Sequence, residues 1–228
     1  MPAGQSILRP PSSCTTCGNR LKARDLIPLL SWVMNKGKCR MCNANISLLY
    51  PAGELVTGLG FALLPYMIEP SPELYFAYVF FAYMVVITIS DLRYRIISNK
   101  LTYPLLLGTL LFRLFYHPLP LWDYAIGFLL GGGLLLLTSI VGSWLGRPNA
   151  MGGGDIKLMA LIGLAGGIQM VIFCLFLSSL IGCIVGLAFI YTGRWKSKEI
   201  PFAPFISLGA CISAAAHMKV FGWYVSLF

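Results

Sequence analysis

The residues of this chain best placed to do chemistry are two aspartates, Asp91 and Asp155, the second of which directly follows Gly152-Gly153-Gly154. Acidic residues are scarce here, eight among 228, and both aspartates fall where apolar segments meet short basic loops. A carboxylate at a bilayer edge is costly to place and is a functional candidate by default. Two close carboxylates cannot both ionise easily, so one retains a proton. The ionised one can deprotonate water while the protonated one hydrogen-bonds a scissile carbonyl, which hydrolyses a peptide without a nucleophilic side chain. Glycines let a substrate backbone approach closely, so Gly152, Gly154 and the nearby Lys157 complete the candidate active-site loop. Each aspartate alone has an ordinary explanation: Asp155 as a helix N-cap, Asp91 as a solvated loop charge paired with an arginine. Other chemistries lack parts, since the chain contains no HExxH, GxSxG or P-loop sequence.

A second constellation is Cys14-Thr15-Thr16-Cys17 and Cys39-Arg40-Met41-Cys42. Two CxxC pairs at this separation offer four thiolates to one tetrahedral ion, the pattern of structural zinc. Disulfides or redox dithiols are the alternative, and a reducing, cytoplasmic location argues against disulfides. Cys174, Cys183 and Cys211 lie inside apolar segments and read as small buried hydrophobes.

The elements that must position these groups belong to a membrane protein. Hydrophobic residues make up 57% of the chain and charged residues 11%, against about a quarter charged in soluble domains. From Pro51 onward seven apolar segments run over roughly 52–68, 73–91, 101–116, 122–145, 155–166, 168–192 and 204–227. The fifth is short and glycine-bounded, either a half-span or a continuation of its neighbour. Gly131-Gly132-Gly133 and the Gly182/Gly186 pair permit close helix approach. The sequence therefore predicts an all-α polytopic membrane protein of about six to seven transmembrane helices. A small cysteine-rich zinc-binding domain precedes it, with domains over 1–50 and 51–228.

Charge gives the orientation. Residues 1–50 and the loops after the second, fourth and sixth segments hold 15 of the 17 Lys and Arg residues. By the positive-inside rule that face is cytoplasmic, and both aspartates lie at its edge. The rule also accounts for the net charge of +9 without nucleic acid as a partner. Arg113 and Lys219 fall toward outer ends, where snorkelling would rescue them. His117 and His217 lie there too and read as anchors.

These residues resemble the bacterial type IV prepilin peptidase family, bifunctional leader peptidases and N-methyltransferases of the GxGD aspartyl protease class. The likeness runs over essentially the whole chain. It rests on the paired CxxC segments enclosing Asp25-Leu26-Ile27-Pro28 and Leu30-Ser31-Trp32, on Asp91-Leu92-Arg93-Tyr94-Arg95-Ile96-Ile97-Ser98-Asn99, on Gly152-Gly153-Gly154-Asp155-Ile156-Lys157, and on Ile200-Pro201-Phe202-Ala203-Pro204-Phe205. In the last of these, Ala203 stands where the family usually has glycine. The resemblance implies that Asp91 and Asp155 cut the basic leader from prepilin, pseudopilin or competence precursors at the cytoplasmic face of the bacterial inner membrane. S-adenosylmethionine would then methylate the new N-terminus. The implied partners are a prepilin or pseudopilin helix and membrane lipid. Family members with the cysteine domain normally begin with a further hydrophobic helix, upstream of the segment matching Gln5-Ser6-Ile7-Leu8, so this chain is expected to lack that first span. An ion- or proton-coupled transporter using edge aspartates is the alternative from another class, and an assembly factor built on the zinc domain is a third.

Overall fold

The computed structural model describes residues 12–146, 151–192 and 201–225, with side chains only to 215 in the last stretch. Arg9, Arg147, Arg194, Lys196 and Lys198 lie outside these residues, as do the side chains of His217 and Lys219. A 3-10 turn at Ala23–Leu26 is followed by α1 (Leu30–Met34), α2 (Leu49–Met67), α3 (Pro72–Tyr94), α4 (Asn99–Phe115), α5 (Leu121–Trp144), α6 (Gly153–Tyr191) and α7 (Ala203–Val225). The extended pairings among the described residues are two isolated antiparallel bridges, Ser13–Arg20 and Lys38–Asn45. Three helices, α3, α5 and α6, are long and apolar enough to cross a membrane, and Ala203–Ala215 of α7 is a shorter apolar helix. Their outward side chains, among them Val79, Leu129, Leu137, Phe176 and Ile184, are exposed, which suits lipid rather than water.

The contacts divide the chain into two compact units, Met1–Ile89 and Ser90–Phe228, whereas the composition suggested a boundary at 50/51. Bonds and packing across that position account for the difference. The Leu29 backbone N–H donates to Glu54 Oε2 on α2 at 2.8 Å, which ties the cysteine-rich part to the helix after it. Within the same unit the ring of Phe61 on α2 lies 4.8 Å from that of Tyr78 on α3, and Gly53 and Gly60 of α2 seat Ile89 and Phe81.

In the second unit α5 and α6 meet backbone to backbone. A Cβ on Gly127 would lie 2.7 Å from the Gly163 carbonyl oxygen. One on Gly163 would strike the Gly127 carbonyl in return, and Gly131 faces the Met159 carbonyl in the same way. Small residues four apart on both helices allow this approach, the usual device where lipid supplies no hydrophobic drive. Gly131 thus does what the triple glycine suggested, while Gly133 faces open space and Gly182 makes only ordinary contact with Phe202 at 3.5 Å. Cys174 is buried as expected, but Cys183 is exposed.

The fifth and sixth apolar segments are two helices in direct succession, together α6, that meet at a kink at Gly167 (φ 77°, ψ −168°), a conformation essentially confined to glycine. Two charged residues occupy the break. The buried Arg113 guanidinium donates through Nε to the Ala165 carbonyl at 3.0 Å, and through a second nitrogen to the same oxygen. The Ile168 N–H donates to Asp123 Oδ2 at 3.3 Å. Arg113 therefore caps the C-terminal end of the first half-helix and Asp123 the N-terminal end of the second, each with the sign that the helix dipole favours. Snorkelling, the role expected of Arg113, is excluded by its 4% exposure. Its bond to a carbonyl 52 residues away removes the need for it.

Candidate functional site

The four cysteines expected to bind metal come together. Their Sγ atoms all lie within 4.8 Å of one another, and those of Cys14 and Cys42 are 3.8 Å apart. A tetrahedral site with metal–sulfur bonds of about 2.3 Å has edges of about 3.8 Å, so the cluster could hold such an ion. Two copies of one local turn build it. Cys14 N–H donates to the Asn19 carbonyl and Gly18 N–H to that of Cys14, and 25 residues on Cys39 bonds Ala44 and Asn43 bonds Cys39 in the same pattern. The two bridges repeat at the same offset, and the matched residues Gly18 (φ 68°) and Asn43 (φ 56°) are both left-handed. Glycine and asparagine are the residues that tolerate that region. The Cys17 and Thr16 backbone amides lower the Cys14 thiol to about 6, which favours the thiolate, the metal-binding form, whereas Cys42 in the same cluster is pushed up to about 11.

The two aspartates also come together, both in the second unit. Asp91 sits in the last turn of α3 and is 8% exposed. The chain leaves that helix through Arg95, in the left-handed region at φ 54°, and Ser90 Oγ donates to the Ile96 carbonyl at 2.8 Å. This reversal carries Ile97 onto the glycines that precede Asp155. A Cβ on Gly154 would lie 2.7 Å from the Ile97 Cβ, so glycine at 154 is what lets the two aspartate-bearing segments touch. Asp155 lies close enough to feel the charge of Asp91.

Local geometry changes the reading of the glycines. Gly152 is the N-cap of α6, and Asp155 stands in its first turn, not at the N-cap as the spacing suggested. The Asp155 N–H donates to the Gly152 carbonyl at 3.0 Å, and a Cβ on Gly152 would lie 3.0 Å from Asp155 Oδ2. Gly152 therefore leaves room for the carboxylate, while the space beside Gly154 is filled by Ile97 of the same chain rather than left to a substrate strand.

Two partners escaped the sequence reading. The Asp91 Oδ2 accepts a hydrogen bond from the Ala203 N–H at 3.3 Å. Ala203 opens α7, and its amide would otherwise be one of the unsatisfied donors of a helix start. Lys157 donates to Asn99 Oδ1 at 2.9 Å and lies 5.0 Å from the centroid of the Tyr103 ring. It therefore links the first turns of α6 and α4. The position of Asn99 at the end of the Asp91 segment, and Ala203 in the later Pro-Phe element, were the available signals.

This arrangement presents one buried and one half-buried carboxylate beside two helix N-termini, a set of groups able to activate water and polarise a carbonyl. The family profile described as Bacterial Peptidase A24 N-terminal domain matches residues 1–68, and that described as Type IV leader peptidase family matches residues 78–187. A prepilin leader peptidase/N-methyltransferase of Bacillus subtilis (strain 168) is 36% identical over 228 residues, spanning 100% of this chain and 90% of the relative. One from Aeromonas salmonicida (strain A449) is 36% identical over 224 residues, spanning 97% and 76%. One from Neisseria gonorrhoeae is 28% identical over 224 residues, spanning 97% and 77%. No solved structure gives a significant match.

Proposed function

Because the chain belongs to the type IV leader peptidase family, whose members are membrane proteases, we propose that it removes the basic leader of prepilin-like precursors with Asp91 and Asp155 as the catalytic pair. The observation that carries this is the contact of Ile97 with Gly154, which joins the two aspartate segments inside the part of the chain that the family profile covers. In the proposed reaction one carboxylate takes a proton from water as the oxygen attacks the scissile carbonyl. The other, protonated, hydrogen-bonds the carbonyl oxygen and stabilises the tetrahedral intermediate. Collapse breaks the C–N bond, and a proton passes to the leaving amine. The Ala203 amide holds the Asp91 carboxylate in one orientation, and Gly152 and Gly154 shape the turn that presents Asp155.

The membrane setting is part of the reading. With α3, α5 and α6 as spans, and α2, α4 and α7 read as further spans, the cations gathered in the N-terminal segment and alternate loops support a position of both aspartates at the cytoplasmic surface of the bacterial inner membrane. Cys14, Cys17, Cys39 and Cys42 would hold a structural zinc ion, whose role is to fix the two turns. Methylation of the new N-terminus by S-adenosylmethionine is supported by the names of the relatives, and no residue is assigned to the donor. The transporter alternative gains nothing from the family match.

Purified protein in lipid vesicles, given a prepilin-like precursor, should yield the shortened product by mass spectrometry. With S-adenosylmethionine present the product should be one methyl group heavier. Cleavage without methylation would remove only the second activity; no cleavage of any such precursor would reject the assignment.

A further inference from the structure

The first unit carries an apolar face that the proposed reaction does not use. Leu26, Ile27, Leu30, Val33 and Met34 are 51%, 45%, 52%, 64% and 71% exposed. Leu30, Val33 and Met34 stand three and four residues apart on one face of α1, and Leu26 and Ile27 precede them at the end of the 3-10 turn. Trp32 points elsewhere, donating through Nε1 to the Ile46 carbonyl at 3.3 Å and packing on Gly37. The stripe is therefore a surface and not a misplaced core.

Its surroundings are basic. Lys22, Arg24 and Lys36 flank the stripe in sequence and are exposed. The one acidic residue between 12 and 50, Asp25, is already paired with Arg40 at 2.9 Å. The Leu29 N–H, in the middle of the stripe, is bonded to Glu54 at 2.8 Å. Leu29 itself holds a left-handed φ of 59°, a conformation that carries strain in a residue with a branched side chain. Glu54 stands five residues into α2, about 7.5 Å along its axis at 1.5 Å per residue. The Leu29–Glu54 bond therefore ties this apolar surface to the N-terminal part of α2.

We propose that this stripe is a membrane-docking surface for anionic lipid, holding the cysteine-rich unit down on the bilayer that α2 enters. The inference rests on the reading of α2 as a membrane helix. Charge selects the occupant: exposed lysine and arginine on either side of the apolar residues in sequence match acidic headgroups above acyl chains, and repel a basic leader peptide.

The test is photocrosslinking of the full chain in nanodiscs. p-Benzoylphenylalanine is placed singly at Val33 or Met34, with Thr16 in the first cysteine turn as the control position. Zinc content and precursor cleavage are measured on each variant. In discs rich in phosphatidylglycerol, Val33 and Met34 should give lipid adducts and Thr16 few. Reversal at Lys22→Glu, Arg24→Glu and Lys36→Glu together should cut the adducts by at least about fivefold, the size expected for a cation at an anionic surface. Adducts to a second copy of the chain, adducts to added precursor, or yields no higher than at Thr16 would each overturn the proposal. Equal yields in phosphatidylcholine discs would overturn it too. Cleavage without lipid adducts defeats only the docking surface, whereas lipid adducts without cleavage defeat only the protease assignment.

Discussion

The Asp91 carboxylate accepts a hydrogen bond at 3.3 Å from the backbone amide of Ala203, 112 residues further along the chain. One bond thus joins the last turn of α3 to the first residue of α7 and presents the positive end of that helix to the carboxylate. The backbone supplies the donor, so only a change that removes the N–H can delete it. Ala203→Pro does so while keeping a φ suited to a helix start. Hydrogen bonds to charged groups contribute about 1.5–3 kcal/mol, so precursor cleavage should fall on the order of ten- to a hundredfold. Ala203→Gly keeps the amide and should retain most activity; equal losses in the two variants would contradict an orienting role.

Gly154 should resist any side chain. A Cβ there lies 2.7 Å from the Ile97 Cβ, and overpacking of this kind costs about 1–3 kcal/mol. Gly154→Ala is expected to cut cleavage sharply. Adding Ile97→Gly should recover part of the loss, because it removes the atoms that the new methyl meets. A double variant no better than the single one would mean that the glycine serves something other than this contact.

Metal content tests the cysteine turns. About one zinc per chain is expected for a four-thiolate site. Cys14→Ser or Cys39→Ser should lose it, and chelation should expose the segment from Ser12 to Ile46 to limited proteolysis. A metal-free protein whose four thiols alkylate freely without loss of this protection would contradict the assignment.

The close approach of α5 and α6 gives substitutions of opposite sign. Gly163→Ala drives a methyl into the Gly127 carbonyl and should destabilise by about 1–3 kcal/mol. Gly133 has open space beside it, so Gly133→Ala should be neutral or stabilise by up to about 1 kcal/mol through helix propensity. Thermal unfolding in detergent measures both, and equal destabilisation would refute the backbone contact.

Much of this was legible in residue type and spacing. Runs of apolar residues locate the helices to within a few residues because lipid demands length and apolarity and little else. The two CxxC pairs disclose their cluster because four thiolates have few other uses. The helix break was half legible: Gly166-Gly167 marks it, but the capping roles of Arg113 and Asp123 depend on partners 52 and 45 residues away. Hydropathy sees only a stray charge at each. The Ala203 amide is invisible in principle, since every residue except proline carries the same donor. Gly154 could be recognised as special, but whether it admits a substrate or Ile97 depends on how the chain reverses at Arg95.

The most direct measurement is leader cleavage by Asp91→Asn and Asp155→Asn, each reconstituted as full-length protein in vesicles. Asparagine keeps the shape and most hydrogen bonds but can neither take up the water's proton nor cycle between acid and base. Both variants should fold, as judged by thermal unfolding and metal content, and both should lose detectable cleavage. Substantial cleavage by either one would contradict the two-carboxylate account.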